Sequence, residues 1–162
     1  MFGITPRLNF MKLLTDNRPR AFAKISGDKE YPDLQGYVYF YEASNGGILI
    51  EAEIFGLPQT DSLEIPAFFG FHLHETGDCS DHFSHTGGHY NPGQRPHPQH
   101  KGDMPPLRSS DGYAWLAFYD DDMKLYDIVG RSVVIHRDRD DFMSQPAGNA
   151  GEKIACGVIQ TI

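Results

Sequence analysis

Short apolar runs separated by turn-forming residues occupy most of this 162-residue chain. They are AFAKISG, GYVYFYEA, GILIEAEIF, GYAWLAFY, DIVGRSVVIH and IACGVIQTI, all rich in aromatic or β-branched residues. The 17 glycines and 11 prolines favour many short strands over long helices. Asn45-Gly46, between the second and third runs, predicts a tight turn and therefore a hairpin. The sequence thus predicts an all-β sandwich or barrel.

The length of the chain fits one domain with a real hydrophobic core. The strand pattern predicts a domain over residues 20–162, preceded by an N-terminal extension over residues 1–19. The formal charge of −8 argues against nucleic acid or an anionic membrane as a partner. Neither a secretory leader nor a membrane-spanning segment is recognisable, which favours a cytoplasmic protein, although removal of a leader would leave the same pattern. An apolar barrel face would also allow a homodimer.

Two long polar segments interrupt the strand pattern. The first, residues 75–110, contains five of the eight histidines and hardly any aliphatic residues, so it cannot bury a core of its own. The second, residues 137–153, is a charged loop between the last two strand-like runs. Loops of this length inside a compact domain are usually functional or disordered. A bound metal would organise the first.

The histidines have the spacing of metal ligands. His72 and His74 are one residue apart on a predicted strand, so their imidazoles project from the same face. Nitrogen and carboxylate donors together suit zinc or copper rather than calcium or magnesium. A pH-sensing histidine cluster is an alternative, but it would not require a nearby carboxylate. The candidates are His72, His74, His89, His97, His100, Asp103 and His136, whereas His82 and His85 fit ordinary solvated loop residues.

Five segments carry a family resemblance. GFHLHETGDC, GGHYNP, HKGDMPPL, GRSVVIH and GNAGEKIACGVI occur in this order and together resemble the copper-zinc superoxide dismutases, with bacterial-type motifs. The resemblance covers most of the chain from Gly36 onward. It implies an eight-stranded Greek-key β-barrel, an immunoglobulin-like sandwich, with two long functional loops. It also implies an antioxidant enzyme that converts superoxide to oxygen and hydrogen peroxide with copper and zinc.

The resemblance implies a role for each matching position. His89 would be shared between the two metals and would move a proton during turnover, and Lys153 would attract the anionic substrate. Asp140 would be the carboxylate that joins a copper ligand, His72, to a zinc ligand, His97. Cys79 and Cys156 would form a disulfide. Copper would be bound by His72, His74, His89 and His136, and zinc by His89, His97, His100 and Asp103.

Three features depart from the family pattern, one of which is Phe69, where many members have a structural histidine. The other two concern the proposed metal site directly. Lys153 stands where the family usually has an arginine, so the charge is kept but the planar multi-donor group is lost. This predicts a lower rate and poorer orientation of the anion. The segment between His97 and His100 is only Pro-Gln, shorter than is common in the family, which predicts a cramped or weaker zinc site.

Two other functions remain open at the level of the sequence. A copper-binding or copper-delivery protein could keep this fold without turnover, although a transfer protein should prefer softer ligands such as thiolates. A zinc hydrolase would need an open metal position and a carboxylate to activate water, for which Glu75 or Asp78 could serve. A zinc hydrolase would leave one set of histidines unexplained.

Overall fold

A computed structural model describes residues 14–59 and 68–162. The strands in this part of the chain are β1 (Ala21–Gly27), β2 (Gln35–Glu42), β3 (Ile48–Phe55), β4 (Phe68–Phe69), β5 (Phe71–His74), β6 (Leu107–Arg108), β7 (Ala114–Asp120), β8 (Ser132–His136) and β9 (Lys153–Thr161). Helical structure is limited to α1 (Ser80–Phe83), a 3-10 turn (Ser84–Thr86) and α2 (Leu125–Ile128). The expectation of an all-β chain is confirmed.

Seven strands form one antiparallel sheet in the order β5-β8-β9-β1-β2-β3-β7. β4 pairs with β6, β4 is separated from β5 by Gly70 alone, and β6 lies against β7. This short ladder therefore joins the two ends of the curled sheet. The neighbours β5–β8 and β9–β1 are distant in sequence, as in a Greek key. With β4 and β5 counted as one interrupted strand, the described residues form the predicted eight-stranded barrel.

The predicted hairpin is present between β2 and β3. Glu42 pairs with Ile48 at its closed end, and the backbone N–H of Gly46 donates to the carbonyl of Ala43 at 2.9 Å. Gly46 has φ +86°, a left-handed conformation that glycine adopts without steric cost. The Asn-Gly signal in the sequence therefore located this turn correctly.

The core lies inside the curled sheet. Alternate residues of each long strand face inward, such as Ile25 on β1, Phe40 on β2 and Ile54 on β3, and all three are fully buried. Each large apolar side chain moved out of water stabilises the fold by about 1.5–3 kcal/mol. This rigid wall is the support on which the histidines are mounted.

The predicted N-terminal extension, residues 1–19, lies partly outside the described residues. Where the description begins, Leu14 pairs with Ala43, and the backbone N–H of Thr15 donates to the carbonyl of Glu42 at 2.9 Å. A domain boundary at residue 20 stays a prediction. No helix among residues 14–59 and 68–162 has the length and apolar character needed to cross a membrane.

Candidate metal centre

Two adjacent strands place three histidines on one face of the barrel wall. Phe71 pairs with Ile135, and both side chains enter the core. Because side chains alternate along a strand, His72 and His74 project from the other face of β5. His136 ends β8 beyond Ile135 and projects from the same side. All three histidines are nevertheless buried, because the long loops cover this face.

The first long loop is hydrogen-bonded along β5, and this delivers the remaining candidates. His89 forms a bridge with His74, and Asp103 forms one with His72. The backbone N–H of Tyr90 donates to the carbonyl of Leu73 at 2.8 Å, and the Leu73 N–H donates to the carbonyl of Gly102 at 2.9 Å. The loop therefore acts as a further strand-like partner of β5 and brings ligand-type residues to the barrel.

Four histidines converge in what we call the first histidine group: His72, His74, His89 and His136. One possible ligand atom from each lies within 4.8 Å of all the others. His74 Nδ1 faces the carbonyl of Gly87 at 3.0 Å and His136 Nδ1 faces that of Gly151 at 3.2 Å. A carbonyl only accepts, so these Nδ1 atoms carry the protons and both Nε2 atoms present lone pairs.

Those two lone pairs point toward each other, with the Nε2 atoms of His74 and His136 3.1 Å apart. His72 Nδ1 and His89 Nε2 are buried and make no hydrogen bond to any described residue. Four nitrogens that each present a lone pair cannot hydrogen-bond to one another, because none of them carries a proton to donate. A cation in this buried space would satisfy all four. Imidazole ligands suit copper. The first histidine group therefore fits a copper ion.

The second group consists of His89, His97, His100 and Asp103, whose possible ligand atoms also lie within 4.8 Å of one another. His89 Nδ1 is 2.7 Å from Asp103 Oδ1. The Nδ1 atoms of His97 and His100 lie 3.0 Å and 3.3 Å from Asp103 oxygens, but not in the direction that a hydrogen bond needs. Three nitrogens and one carboxylate oxygen are a tetrahedral zinc donor set. The short Pro-Gln segment does not keep His97 and His100 apart.

His89 belongs to both groups, and its two ring nitrogens serve different sides. Nδ1 faces Asp103 in the second group, whereas Nε2 is the buried atom without a described partner on the side of the first. Its ring centroid lies 3.9 Å from that of His72 and 5.6 Å from that of His100. This position is the one that a shared ligand requires.

Asp140 connects the two groups from behind. Its Oδ2 accepts from His72 Nε2 at 2.7 Å and its Oδ1 accepts from His97 Nε2 at 2.9 Å, with only 1% of the side chain exposed. Each bond places the ring proton on Nε2 and leaves Nδ1 free as a ligand. Gly148 leaves room for this, because a Cβ there would meet the Asp140 carboxylate and lie 2.7 Å from His97 Nε2.

Burial favours the neutral form of three imidazoles in the first histidine group, those of His72, His74 and His136. Desolvation lowers the pKa of His74 to about 2 and that of His136 to about 3, and it also lowers the pKa of His72, against the hydrogen bond to Asp140. Burial by itself would raise the pKa of Asp140, but hydrogen bonds from His72, the Phe142 N–H and His97 outweigh it and the pKa is lowered. Neutral imidazole and ionised carboxylate are the forms that bind metals.

The first histidine group opens onto a cleft of about 610 Å³. His74, His89 and His136 line it together with Glu75 and Lys153. Among the described lining residues Lys153 is the one lysine or arginine. Desolvation lowers the pKa of its ammonium, which donates to the loop that follows Cys79.

Cys79 and Cys156 form a disulfide, as predicted. It attaches the first long loop to β9 across a sequence separation of 77 residues. His82 and His85 lie outside both metal-ligand groups: His82 Nδ1 contacts Asp28 Oδ2 at 2.7 Å, and His85 Nδ1 contacts Ser80 Oγ at 3.1 Å.

Three groups at the site had no signal in the sequence. Two are the carbonyls of Gly87 and Gly151, which orient His74 and His136. The third is Gln145, whose Oε1 accepts from the His97 backbone N–H at 2.9 Å while its Nε2 donates to the His97 carbonyl at 2.7 Å. Backbone carbonyls are common to every residue, so only the folded loops reveal which ones face a histidine.

Comparison with known proteins decides the family. Residues 34–159 match the family model described as copper/zinc superoxide dismutase. The chain belongs to this family. Superoxide dismutase [Cu-Zn] 3 of Arabidopsis thaliana is 35% identical over 156 residues, which cover 86% of this chain and 89% of the relative. The putative superoxide dismutase [Cu-Zn] of Autographa californica nuclear polyhedrosis virus is 33% identical over 159 residues, covering 86% of this chain and 97% of the relative.

A second kind of relative has the same domain. The human copper chaperone for superoxide dismutase is 34% identical over 139 residues, which cover 78% of this chain but only 48% of the chaperone. The chain thus spans about half the length of that relative. Among solved structures, the clock protein EA4 superposes with a TM-score of 0.76 at 32% identity, covering 89% of this chain and 96% of the other.

Family membership and the two ligand groups together establish copper and zinc as the metals of this copper/zinc superoxide dismutase family member. The family is shared with both the dismutases and the copper chaperones, so an activity of this chain stays a prediction. Copper at the first group, zinc at the second and the roles of individual residues stay predictions, as does a homodimer.

Proposed function

We propose that this protein disproportionates superoxide, converting two superoxide anions and two protons to oxygen and hydrogen peroxide. The observation that carries the proposal is the shared His89, which joins a four-histidine group open to a cleft with a second group closed by Asp103. Copper, when bound by the first group, supplies one-electron exchange with superoxide, whereas zinc has no redox chemistry and supports the structure.

The residues of this chain hold the geometry and the protons. Asp140 and the carbonyls of Gly87 and Gly151 fix the rings of His72, His74 and His136, so these three rings need no reorientation during turnover. His89 Nε2 is the atom proposed to carry a proton toward the product, because it faces the cleft-lining group and has no described hydrogen-bond partner. Lys153 supplies positive charge at the cleft of a chain whose net charge is −8.

The proposal is tested by the rate of superoxide disappearance after reconstitution with copper and zinc. We expect a copper-dependent rate well above that of the free metal, and its loss in His136→Ala. His85→Ala is the matched control, because it removes an exposed histidine outside both groups. A copper-loaded protein that is no faster than free copper would refute dismutation and leave the fold and family unchanged.

Copper delivery is the second candidate, and the similarity to the copper chaperones favours it. It would use the first histidine group as a reversible store rather than a catalyst. The two proposals differ in transfer: a delivery protein should pass copper to a metal-free dismutase faster than copper released into a chelator-buffered solution. If the protein retains its copper during that incubation and also turns over superoxide rapidly, delivery is excluded and dismutation is the remaining function.

A further inference from the structure

Lys153 makes contacts that differ from those expected of a residue that receives the substrate. Its Nζ donates to Thr86 Oγ1 at 2.7 Å, to the carbonyl of Gly87 at 3.1 Å and to that of Phe83 at 3.3 Å. An ammonium group has three N–H donors and no acceptor. All three donors are therefore occupied by the loop, and none is left to contact an anion in the cleft.

One of these acceptors also orients a metal-ligand candidate. The carbonyl of Gly87 accepts from Lys153 and also from His74 Nδ1, at 3.0 Å. Thr86, which is fully buried, places its Oγ1 3.4 Å from the same His74 nitrogen and donates to the carbonyl of Phe83 at 2.9 Å. The ammonium thus lies at the centre of a small polar network that ends on His74.

The same loop segment is attached to β9 twice. The disulfide holds Cys79 to Cys156, and Lys153, three residues earlier on β9, holds residues 83–87. Between these attachments Asp81, His82 and Phe83 all have positive φ, which side chains rarely adopt in succession. Such a conformation persists only where its surroundings over-determine it. Lys153 also pairs with His136 across β8 and β9, so it connects the loop directly to the metal-bearing wall.

We infer that Lys153 is a positioning residue. It holds the Gly87 carbonyl in place, and through that carbonyl it fixes the imidazole of His74 with Nε2 directed into the first histidine group. Its charge acts on anions only at long range. The inference depends on copper binding by the first histidine group, but not on turnover.

Three substitutions at position 153 separate hydrogen bonding from charge. Lys153→Arg keeps both, Lys153→Gln keeps donors without charge, and Lys153→Met keeps neither. Lys24→Met, on an exposed position of β1, removes the same charge away from the cleft and is the control. Copper(II) affinity is measured by chelator competition, the copper environment by electron paramagnetic resonance, and anion access by azide titration.

We expect Lys153→Met to lower copper affinity about tenfold and to alter the resonance spectrum, since loss of a group that orients a ligand typically costs 10–100-fold. The copper affinity of Lys153→Arg should remain near that of the parent protein. The copper affinity of Lys153→Gln should be closer to that of the parent protein than to that of Lys153→Met. Azide affinity should instead depend on the charge at position 153, so it should fall by the same factor in Lys153→Gln and in Lys153→Met. Unchanged copper affinity and spectrum in both neutral variants, with weaker azide binding, would overturn the inference.

The comparison remains decisive if Lys153→Met does not fold. The side chains in Lys153→Arg and Lys153→Gln both donate hydrogen bonds but differ in charge. Similar copper affinities of these two variants would support a positioning role for Lys153, whereas a tenfold loss of copper affinity in Lys153→Gln alone would overturn the inference. Copper affinity and spectra do not depend on turnover. A protein without dismutase activity can therefore still confirm or refute the role of Lys153.

Discussion

At the residue scale, the site depends on which ring nitrogen of each histidine carries the proton. His74 and His136 donate Nδ1–H to carbonyls, whereas His72 and His97 donate Nε2–H to one carboxylate. A histidine can offer only the nitrogen that its other hydrogen bond leaves free. The alternating choice of Nδ1 and Nε2 is therefore set by second partners rather than by the histidines themselves.

Asp140→Asn should weaken the binding of both metals. The amide of asparagine has a donor group in place of one carboxylate oxygen, so either His72 or His97 loses its hydrogen-bond acceptor. We expect zinc and copper affinities to fall by about 10–100-fold in chelator competition. Asp138→Asn is the control, since that exposed carboxylate lies on the same loop and reaches Arg137 only at 3.9 Å. Equal affinities in both variants would contradict the proposed role of Asp140.

At the element scale, β5 carries two functions on its two faces. Phe71 and Leu73 fill the core while His72 and His74 face the loops. The metal-ligand candidates consequently depend on core packing one residue away. A one-residue shift of this strand would exchange the two sets and destroy both the core and the site.

Leu73→Ala should lower the free energy of unfolding by about 3 kcal/mol, because it removes buried apolar volume and leaves a cavity. Leu73 is 1% exposed, whereas Tyr126, at 83%, offers a control substitution to Ala that should change stability by less than about 0.5 kcal/mol. Denaturant titration of the metal-free proteins measures both. Similar midpoints and slopes for the two variants would show that β5 is not packed as described.

The disulfide is the covalent attachment of the first long loop to β9. Replacing Cys79 and Cys156 together by alanine should lower the free energy of unfolding of the metal-free protein by about 4 kcal/mol, since a link that closes a long loop restricts the unfolded chain. The same protein treated with a thiol reductant provides an independent comparison. Denaturation curves that coincide for oxidised, reduced and double-alanine proteins would rule out this contribution.

At the scale of the whole molecule, the barrel supplies rigidity and the two long loops supply ligands. His89, His97, His100 and Asp103 come from the first loop and Asp140 from the second, and they meet only over β5 and β8. The second group brings together residues from separate parts of the first long loop. The hydrogen bond between His97 and Asp140 connects this loop to the second long loop. Metal binding should therefore stabilise the complete domain and not the loops alone.

Zinc should raise the free energy of unfolding by about 4 kcal/mol when free zinc is about 1,000 times its dissociation constant, because it binds the folded chain preferentially. His100→Ala removes one second-group nitrogen and should abolish most of this gain, whereas His82→Ala, outside both groups, should retain it. Thermal or denaturant unfolding with buffered zinc provides the measurement. A gain that survives in His100→Ala would place zinc elsewhere.

Much of the scaffold was readable in the linear chain because its signals are local. Alternating apolar residues marked β1, β2 and β3, Asn45-Gly46 marked their hairpin, and the spacing of His72 and His74 put both rings on one face. Residue type and spacing predicted the pool of candidate ligands, whereas the division of these residues into two ligand sets was implied by the resemblance to the copper-zinc superoxide dismutases. The strands, the hairpin and the shared face of His72 and His74 follow from strand periodicity and turn chemistry alone.

The interrupted strand at Gly70, the pairing of the first loop along β5 and the capture of Lys153 by residues 83–87 became evident only in the folded molecule. Each depends on a hydrogen bond between residues far apart in sequence, often to a backbone carbonyl that every residue possesses. Periodicity and composition predict which side chains face inward, but they do not identify the partner of a carbonyl. The chain itself therefore specified the strands and the candidate donors, whereas the tertiary structure decided how the strands pair and how each donor is oriented.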